Sequence, residues 1–257
     1  MSKIVLITGA TSGIGRATAL GFAKEQYTLI LCGRRSERLQ DLKSEIENIY
    51  QSKVTILSFD IREKKSVEEA VNSLTDDLRQ IDILVNNAGL ALGYDDFHEA
   101  DTEHWDTMID TNVKGLLYIS RLISPGMVSR KQGHIINICS TAGHEVYPKG
   151  NVYCATKHAV DAITGAMRLD LHKHNIKVSQ VSPAHVEETE FAITRFEGNQ
   201  DKASIYDDFN PLKSQDVADI IVFMATRPAH VNIQDVLVMG TQQASSIFID
   251  RSGRLFD

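Results

Sequence analysis

The sequence of 257 residues is poor in cysteine, and its few cysteines follow no recognisable spacing. Cys32, Cys139 and Cys154 are an odd number without CxxC or Cys/His patterns, so neither a disulfide framework nor a metal site is supported. We interpret all three as small buried hydrophobic residues. A redox role for Cys139 or Cys154 is the less favoured alternative.

Long apolar runs and blocks of positive charge are also missing. No apolar stretch approaches the roughly 20 residues that a membrane-spanning helix needs. The apolar run 4–7 stops at Thr8-Gly9, too soon for the core of a secretion signal. A formal charge of -7 without a dense Lys/Arg block argues against nucleic-acid and anionic-membrane partners. We therefore expect a cytoplasmic protein that binds neither.

Short β-branched runs alternate with helical patterns along the whole chain. Strands are predicted at 3–8, 28–32, 53–58, 81–85, 134–139, 176–181 and 236–239. Helices are predicted from Gly13, at 36–50, from a capping box of Ser66 and Glu69, at 102–129, at 152–172 and from Ser214. This alternation predicts one α/β domain over residues 1–257, a doubly wound Rossmann fold with a seven-stranded, mostly parallel sheet.

The segment 182–211 is too long for an ordinary connection in a compact domain. It follows the carboxyl end of a strand, which is where ligands of open α/β sheets bind. We interpret it as a substrate lid, with a surface excursion as the alternative.

A glycine-rich turn joins the first strand to the first helix. Bare backbone and the positive end of a helix can hold a pyrophosphate, although a turn of purely conformational use would look similar. The predicted cofactor residues of this turn are Gly9, Thr11, Ser12, Gly13, Ile14 and Gly15.

The end of the second strand indicates which dinucleotide binds. A carboxylate there would select NAD, whereas Arg34 and Arg35 suit the 2′-phosphate of NADP(H). Asp60 follows the third strand and is predicted to contact the adenine ring. Asn86 and Asn87 follow the fourth strand and are predicted to face the cofactor, with turn chemistry as the alternative.

Tyr153 and Lys157 are spaced i, i+4 and so share one helix face. A free phenol titrates near about pH 10, and we expect the lysine ammonium to lower that pKa so that Tyr153 serves as acid/base. Ser140, at the end of the fifth strand, would orient the substrate oxygen. Asn112 would disturb its helix and free a carbonyl for a relay water, against the alternative of an exposed polar residue.

The combined pattern resembles the short-chain dehydrogenase/reductase family over nearly the whole chain. It comprises Thr8-Gly9-x-x-x-Gly13-x-Gly15, Asn86-Asn87-Ala88-Gly89, Asn112, Ser140 and Tyr153-x-x-x-Lys157. The resemblance implies that the tyrosine is the acid/base, the serine orients the substrate, the lysine holds the nicotinamide ribose, and the asparagine positions a relay water. We also assign Tyr153, Ile61, Pro183, Val186 and Thr189 to the cofactor site.

Several stretches resemble, more narrowly, the NADP-dependent 3-hydroxy acid dehydrogenases that act on serine and allo-threonine. They are 85–93, 150–153, 189–191 and 228–233. This resemblance implies a 3-hydroxy acid or the corresponding semialdehyde as substrate, and a homotetramer. Another ketone, a sugar or an acyl thioester is the first alternative, and a catalytically silent NADP-binding sensor or scaffold is the second.

The chain departs from the family pattern after the sixth strand, where Ala184 replaces a glycine and Glu187 and Glu188 precede Thr189. Two carboxylates beside the cleft would disfavour an acidic substrate unless they point outward or pair with Arg195. We predict that Arg195 binds the substrate carboxylate, with a solvated loop arginine as the alternative.

Overall fold

A computed structural model describes residues 2–256, and its main feature is a parallel sheet. The strands are β1 Ile4–Thr8, β2 Thr28–Gly33, β3 Val54–Ser58, β4 Ile83–Asn86, β5 Gly133–Ile138, β6 Ile176–Pro183, β7 Val186–Glu187, β8 Leu212–Lys213 and β9 Asp235–Val238. Seven of them pair in the order β3-β2-β1-β4-β5-β6-β9, and the two short strands β7 and β8 form a separate ribbon. The predicted doubly wound Rossmann fold is confirmed, and every described pairing in the large sheet is parallel.

Helices cover both faces of this sheet. Alternate side chains of β1 enter opposite cores, Val5 and Ile7 on one side and Leu6 on the other, as the two-residue period of a strand requires. The helices are α1 Gly13–Lys24, α2 Ser36–Tyr50, α3 Lys64–Asn72, α4 Thr102–Ile109, α5 Leu116–Arg130, α6 Asn151–Leu171, α7 Phe191–Arg195, α8 Gln200–Ala203 and α9 Ser214–Ala225. Within residues 2–256, none of these helices combines the length and the apolar character needed to cross a bilayer.

The predicted start of the third helix is wrong. α3 begins at Lys64, so Ser66 lies inside it, and the residue before the helix, Glu63, makes no side-chain cap. Lys65 instead forms an i, i+4 ion pair with Glu69, at 3.7 Å. Glu69 therefore stabilises the helix through this ion pair on the helix surface and not through a capping box.

The predicted helix 102–129 is divided by one wide turn. Asp110–Gly115 forms a π-helix between α4 and α5, so the disturbance expected at Asn112 is confirmed. Such turns insert an extra residue into the helix and are frequent at functional sites.

Asn86 has a structural position, which corrects its predicted contact with the cofactor. Its amide nitrogen donates to Ser120 Oγ and to Asn137 Oδ1, both at 2.8 Å, and the side chain is buried. Asn137 in turn donates to Thr164 Oγ1 at 2.8 Å. Through these bonds the four residues connect β4 and β5 to α5 and α6.

The turn after β1 is held against the end of β4 by very close packing. A Cβ atom on Gly15 would lie 2.3 Å from the carbonyl oxygen of Gly9 and 2.5 Å from Asn87 Nδ2. Asn87 Nδ2 donates to the carbonyl oxygens of Thr8 and Gly9, at 2.9 and 3.1 Å. A side chain at position 15 would therefore push the turn away from β4.

We expect Gly15→Ala to destabilise the protein by about 1–3 kcal/mol, since overpacking at a rigid contact forces the backbone to move. Gly165→Ala is the matched control, because Gly165 lies inside α6 and nothing lies within 4 Å of an added Cβ. The control should gain about 0.4–1 kcal/mol from the reduced freedom of the unfolded chain. Urea unfolding measures both, and equal changes would contradict the packing argument.

Candidate active site

A cavity of about 620 Å³ opens at the carboxyl ends of the parallel strands. This edge is where the strand order reverses between β1 and β4, the place at which open α/β sheets bind their ligands. The predicted site residues that line it are Gly9, Thr11, Ser12, Gly13, Ile14, Arg34, Arg35, Asp60, Ile61, Asn87, Ser140, Tyr153, Lys157, Pro183, Val186, Thr189 and Arg195.

The turn after β1 offers bare backbone to this cavity. Gly9 and Gly13 have φ values of +65° and +50°, which favour glycine. A Cβ atom on Gly13 would lie 3.0 Å from Thr189 Cγ2. The first turn of α1 has no acidic residue, and Ser12 does not cap it. Its N–H groups are thus suited to a diphosphate, so the residues fit the predicted dinucleotide.

The guanidinium of Arg35 lies between the turn after β1 and the segment 182–211. It donates to Thr11 Oγ1 at 2.6 Å and to Ser12 Oγ at 3.1 Å, and it forms an ion pair with Glu190 at 2.7 Å. Arg34 Nη1 lies 3.8 Å from Asp60 Oδ2. Two guanidinium groups therefore stand at the edge of the cavity, as expected for a site that receives a phosphate monoester.

Arg62, which was not predicted, holds the carboxylate of Asp60. Its Nε and Nη2 atoms donate to Asp60 Oδ2 at 3.1 and 2.7 Å. Partial burial alone would raise the pKa of Asp60, but the hydrogen bonds and charge of Arg62 outweigh it and lower that pKa. Asp60 is thus an ionised, oriented acceptor at the end of β3.

Ser140, Tyr153 and Lys157 come together at the end of β5. Tyr153 and Lys157 are each 7% exposed, and Lys157 Nζ lies 5.9 Å from the centre of the Tyr153 ring. Lys157 Nζ donates to the carbonyl oxygen of Ile138 at 3.0 Å. Ser140 is close enough to Tyr153 to lower the pKa of its phenol. The sequence spacing therefore identified three side chains that share one wall of the cavity.

The expected lowering of the Tyr153 pKa is wrong for the chain by itself. Burial raises the pKa of Tyr153, and the nearby Tyr147 adds to that effect. The hydrogen bond with Ser140 and the charge of Arg195 act in the opposite direction but do not outweigh burial. Burial also lowers the pKa of Lys157, because it disfavours the ammonium form. Tyr153 is consequently a neutral phenol at neutral pH.

Asn112 lies just behind the wall of the cavity. Its side chain exchanges two hydrogen bonds with the backbone of Leu90, at 2.8 and 2.9 Å, and donates to Thr156 Oγ1 at 3.1 Å. A Cβ on Gly89 would lie 3.2 Å from Asn112 Oδ1 and 3.6 Å from Lys157 Nζ. Asn112 is therefore near Lys157, although it does not line the cavity. The other predicted residues outside the lining are Gly15 and Asn86.

Arg195 is buried and faces the same cavity from α7. It is 7% exposed, and its guanidinium donates to Tyr147 Oη at 3.0 Å and to the carbonyl oxygen of Gly93 at 3.3 Å. Its Cζ atom lies 5.7 Å from the centre of the Tyr153 ring. Within the described chain, no carboxylate forms a salt bridge with it. A buried cation near Tyr153 is thus left without an anion.

The two carboxylates that precede Thr189 do not face this cation. Glu187 forms two bonds with Arg254, at 2.8 and 3.0 Å, and Glu188 lies 3.7 Å from Lys213 Nζ. Neither lines the cavity. The departure from the family pattern therefore adds no free negative charge to the cavity wall.

Several residues of the cavity were missed by the sequence analysis. His185 accepts a hydrogen bond at Nδ1 from Gln243 Nε2, at 2.6 Å, and burial lowers its pKa to about 4 despite that hydrogen bond. Other missed residues of the lining include Tyr94, Tyr147, Glu190, Phe191, Phe196, Tyr206, Ser246, Ile247, Ile249 and Arg251. Most lie on loops without periodicity, so the sequence carried no signal for them.

The segment 244–256, which we call the C-terminal strap, contributes Ser246, Ile247, Ile249 and Arg251 to the cavity lining. Arg251 pairs with Asp208 at 2.5 Å, and the backbone N–H of Phe256 donates to Asn210 Oδ1 at 3.0 Å. Together with the bond between Arg254 and Glu187, these contacts attach the strap to the lid segment. The strap and the segment 182–211 thus both contribute side chains to the cavity lining, and the strap is the one that was not predicted.

The three cysteines are free and buried, as expected. Burial raises the pKa of Cys139 and of Cys154, which disfavours the reactive thiolate. In the part of the chain that the structure describes, no cluster of His, Cys, Asp or Glu could hold a metal ion.

Comparison with known proteins agrees with this geometry. NADP-dependent 3-hydroxy acid dehydrogenase YdfG of Salmonella typhi is 45% identical over 97% of this chain and 100% of its own length. Sulfoacetaldehyde reductase 2 of Chromohalobacter salexigens is 42% identical over 98% of this chain and 100% of its own length. The closed form of a serine dehydrogenase complexed with NADP+ is 44% identical, with a TM-score of 0.91 over 95% of this chain and 97% of that one. The short chain dehydrogenase family model matches residues 3–200, and the chain belongs to that family.

Proposed function

We propose that this protein is an NADP(H)-dependent oxidoreductase for a small 3-hydroxy acid, such as serine or allo-threonine, or for the corresponding semialdehyde. The observation that supports an acidic substrate is the buried guanidinium of Arg195. A buried charge without a counterion is costly, and the carboxylate of an anionic substrate would supply that counterion. The names of the relatives support both the cofactor and the hydroxy acid.

The chain's own groups divide the work in the cavity. The turn after β1 and α1 would hold the diphosphate, Arg34 and Arg35 the 2′-phosphate, and Lys157 the ribose. When bound, the nicotinamide accepts or supplies the hydride. Ser140 would orient the reacting oxygen, and Tyr153 would exchange its phenolic proton with that oxygen.

Carbonyl reduction and alcohol oxidation require different protonation states of Tyr153. A neutral phenol can donate its proton to a carbonyl oxygen at once, so reduction starts from the state that burial favours. Oxidation of an alcohol first requires the phenolate. The water relay past Asn112 stays a prediction, which the π-helix Asp110–Gly115 supports by displacing backbone carbonyls from the regular helical pattern.

We also propose that the segment 182–211 is a lid and that the protein is a homotetramer. The lid is supported by Val186, Thr189 and Arg195, which line the cavity. The oligomer is supported by exposed apolar side chains on the edge strand and outer helices, Leu237, Phe223, Leu117 and Leu169. The cytoplasmic location and the single domain over 1–257 stay predictions.

Replacing the phenol tests the chemistry. We expect Tyr153→Phe to lower kcat by about 10²–10⁴-fold while NADPH binding, followed by fluorescence, changes little. The ring and its packing are kept, and only the hydroxyl group that carries the exchanged proton is lost. Undiminished turnover in Tyr153→Phe would reject the mechanism, whereas a wild-type protein that binds NADPH without turnover would favour the alternative of a sensor or scaffold.

The pH dependence tests the state of the same phenol. Because burial raises the pKa of Tyr153, kcat for alcohol oxidation should rise about tenfold per pH unit while the phenol is mostly protonated. Carbonyl reduction should vary little over that range. Initial rates in both directions measure this. An oxidation rate that is flat from acidic to alkaline pH would mean that the phenol is already ionised.

Replacing the buried arginine tests the substrate class. For Arg195→Gln we expect KM for a 3-hydroxy acid to rise about 10- to 100-fold, since hydrogen bonds to charged groups contribute about 1.5–3 kcal/mol. The matched alcohol without a carboxylate should be little affected. Assays would also include 2-hydroxyethanesulfonate, simple ketones and sugars. Equal loss on charged and uncharged substrates would assign Arg195 to structure, and turnover of uncharged substrates only would favour another reductase.

A further inference from the structure

Glu190 is shared between two arginines of α2 and its N-terminal flank. Its Oε2 atom lies 2.7 Å from Arg35 Nη1, and its Oε1 atom lies 2.5 Å from Arg38 Nη1. The residue stands between Thr189, which lines the cavity, and the start of α7. The lid segment is thus attached by one carboxylate to the guanidinium groups that follow β2.

This carboxylate is charged at neutral pH. Partial burial alone would raise the pKa of Glu190, but hydrogen bonds with Arg38, Arg35 and Ser12 outweigh it and lower that pKa. The same Arg35 guanidinium also donates to Thr11 and Ser12 in the turn that lines the cavity. One of the guanidinium edges available to an incoming anion is therefore already occupied.

A phosphate monoester and a carboxylate bind guanidinium groups in the same way, through parallel charge-assisted hydrogen bonds. A carboxylate fixed to the chain has a high effective concentration, while a phosphate dianion carries more charge. The two would compete for Arg35. Because each ion pair is partly exposed, the attached carboxylate is a weak competitor that a dianion can displace.

We propose that Glu190 is an internal competitor for the 2′-phosphate: it occupies Arg35 and Arg38 in the free chain and is displaced when the phosphate binds. The inference rests on the proposed NADP(H) cofactor but not on the proposed substrate. Displacement would free the segment that leads into α7, the helix of Arg195. Binding of the 2′-phosphate would then be coupled to the position of Arg195 through the four residues 191–194 that separate it from Glu190.

The test uses Glu190→Gln in the full chain, with titration calorimetry of 2′,5′-ADP and 5′-AMP, which differ only in the 2′-phosphate. We expect 2′,5′-ADP to bind about two- to tenfold more tightly to the variant, and 5′-AMP to be unchanged. Glu188→Gln is the matched control, because that carboxylate faces Lys213 and should change neither affinity. Circular dichroism and thermal unfolding verify that both variants fold.

Three outcomes would overturn the proposal. Weaker binding of 2′,5′-ADP to Glu190→Gln would mean that Glu190 orients Arg35 for the phosphate. Unchanged binding would mean that the two anions do not share the site. A wild-type protein without preference for 2′,5′-ADP over 5′-AMP would remove the assigned cofactor as well. Failure to turn over hydroxy acids, by contrast, would reject only the proposed substrate, since the titrations contain none.

Discussion

The contact between the turn after β1 and the end of β4 determines most of the site. Gly15 lets α1 approach the turn so closely that a side chain at position 15 would collide with the Gly9 carbonyl oxygen. The side-chain amide of Asn87 donates a hydrogen bond to the same carbonyl oxygen. This contact fixes the start of α1 relative to the parallel strands. The bare backbone of this turn and the side chains at the end of β5 line one cavity because the two halves of the sheet meet here.

Burial influences the pKa values of Tyr153 and Lys157 more than any neighbouring charge does. The sequence suggests a phenol activated by an ammonium one turn away, and the two groups do lie on one wall. The enclosed surroundings nevertheless favour uncharged forms of both Tyr153 and Lys157. The hydrogen bond from Lys157 Nζ to the carbonyl oxygen of Ile138 holds the amino group at the end of β5, where it lines the cavity. The sequence spacing correctly predicts that Tyr153 and Lys157 lie together, but burial determines the direction in which their pKa values shift.

Periodicity and local motifs predicted the elements and most of the cavity. The alternation of apolar residues predicts the seven strands, and the i, i+4 spacing predicts that Tyr153 and Lys157 lie together. The glycine motif predicts the turn after β1. The errors arose where a contact depended on distant chain. Asn86 faces the sheet interior because Ser120 and Asn137 are there to bind it, and neither is adjacent in sequence. The strap that lines part of the cavity has no periodic pattern, so only the folded chain reveals it.

The attachment of the strap to the lid segment has a consequence for the rate of exchange. Arg254 is bound to Glu187, and Arg251 to Asp208, so neither segment can move away from the other without separating these pairs. Opening of the proposed lid would therefore move the strap as well, and a bound molecule would escape through one concerted opening and not through two independent ones. Because the pairs are partly solvent-exposed, added salt would weaken them and shorten the time for which product is retained.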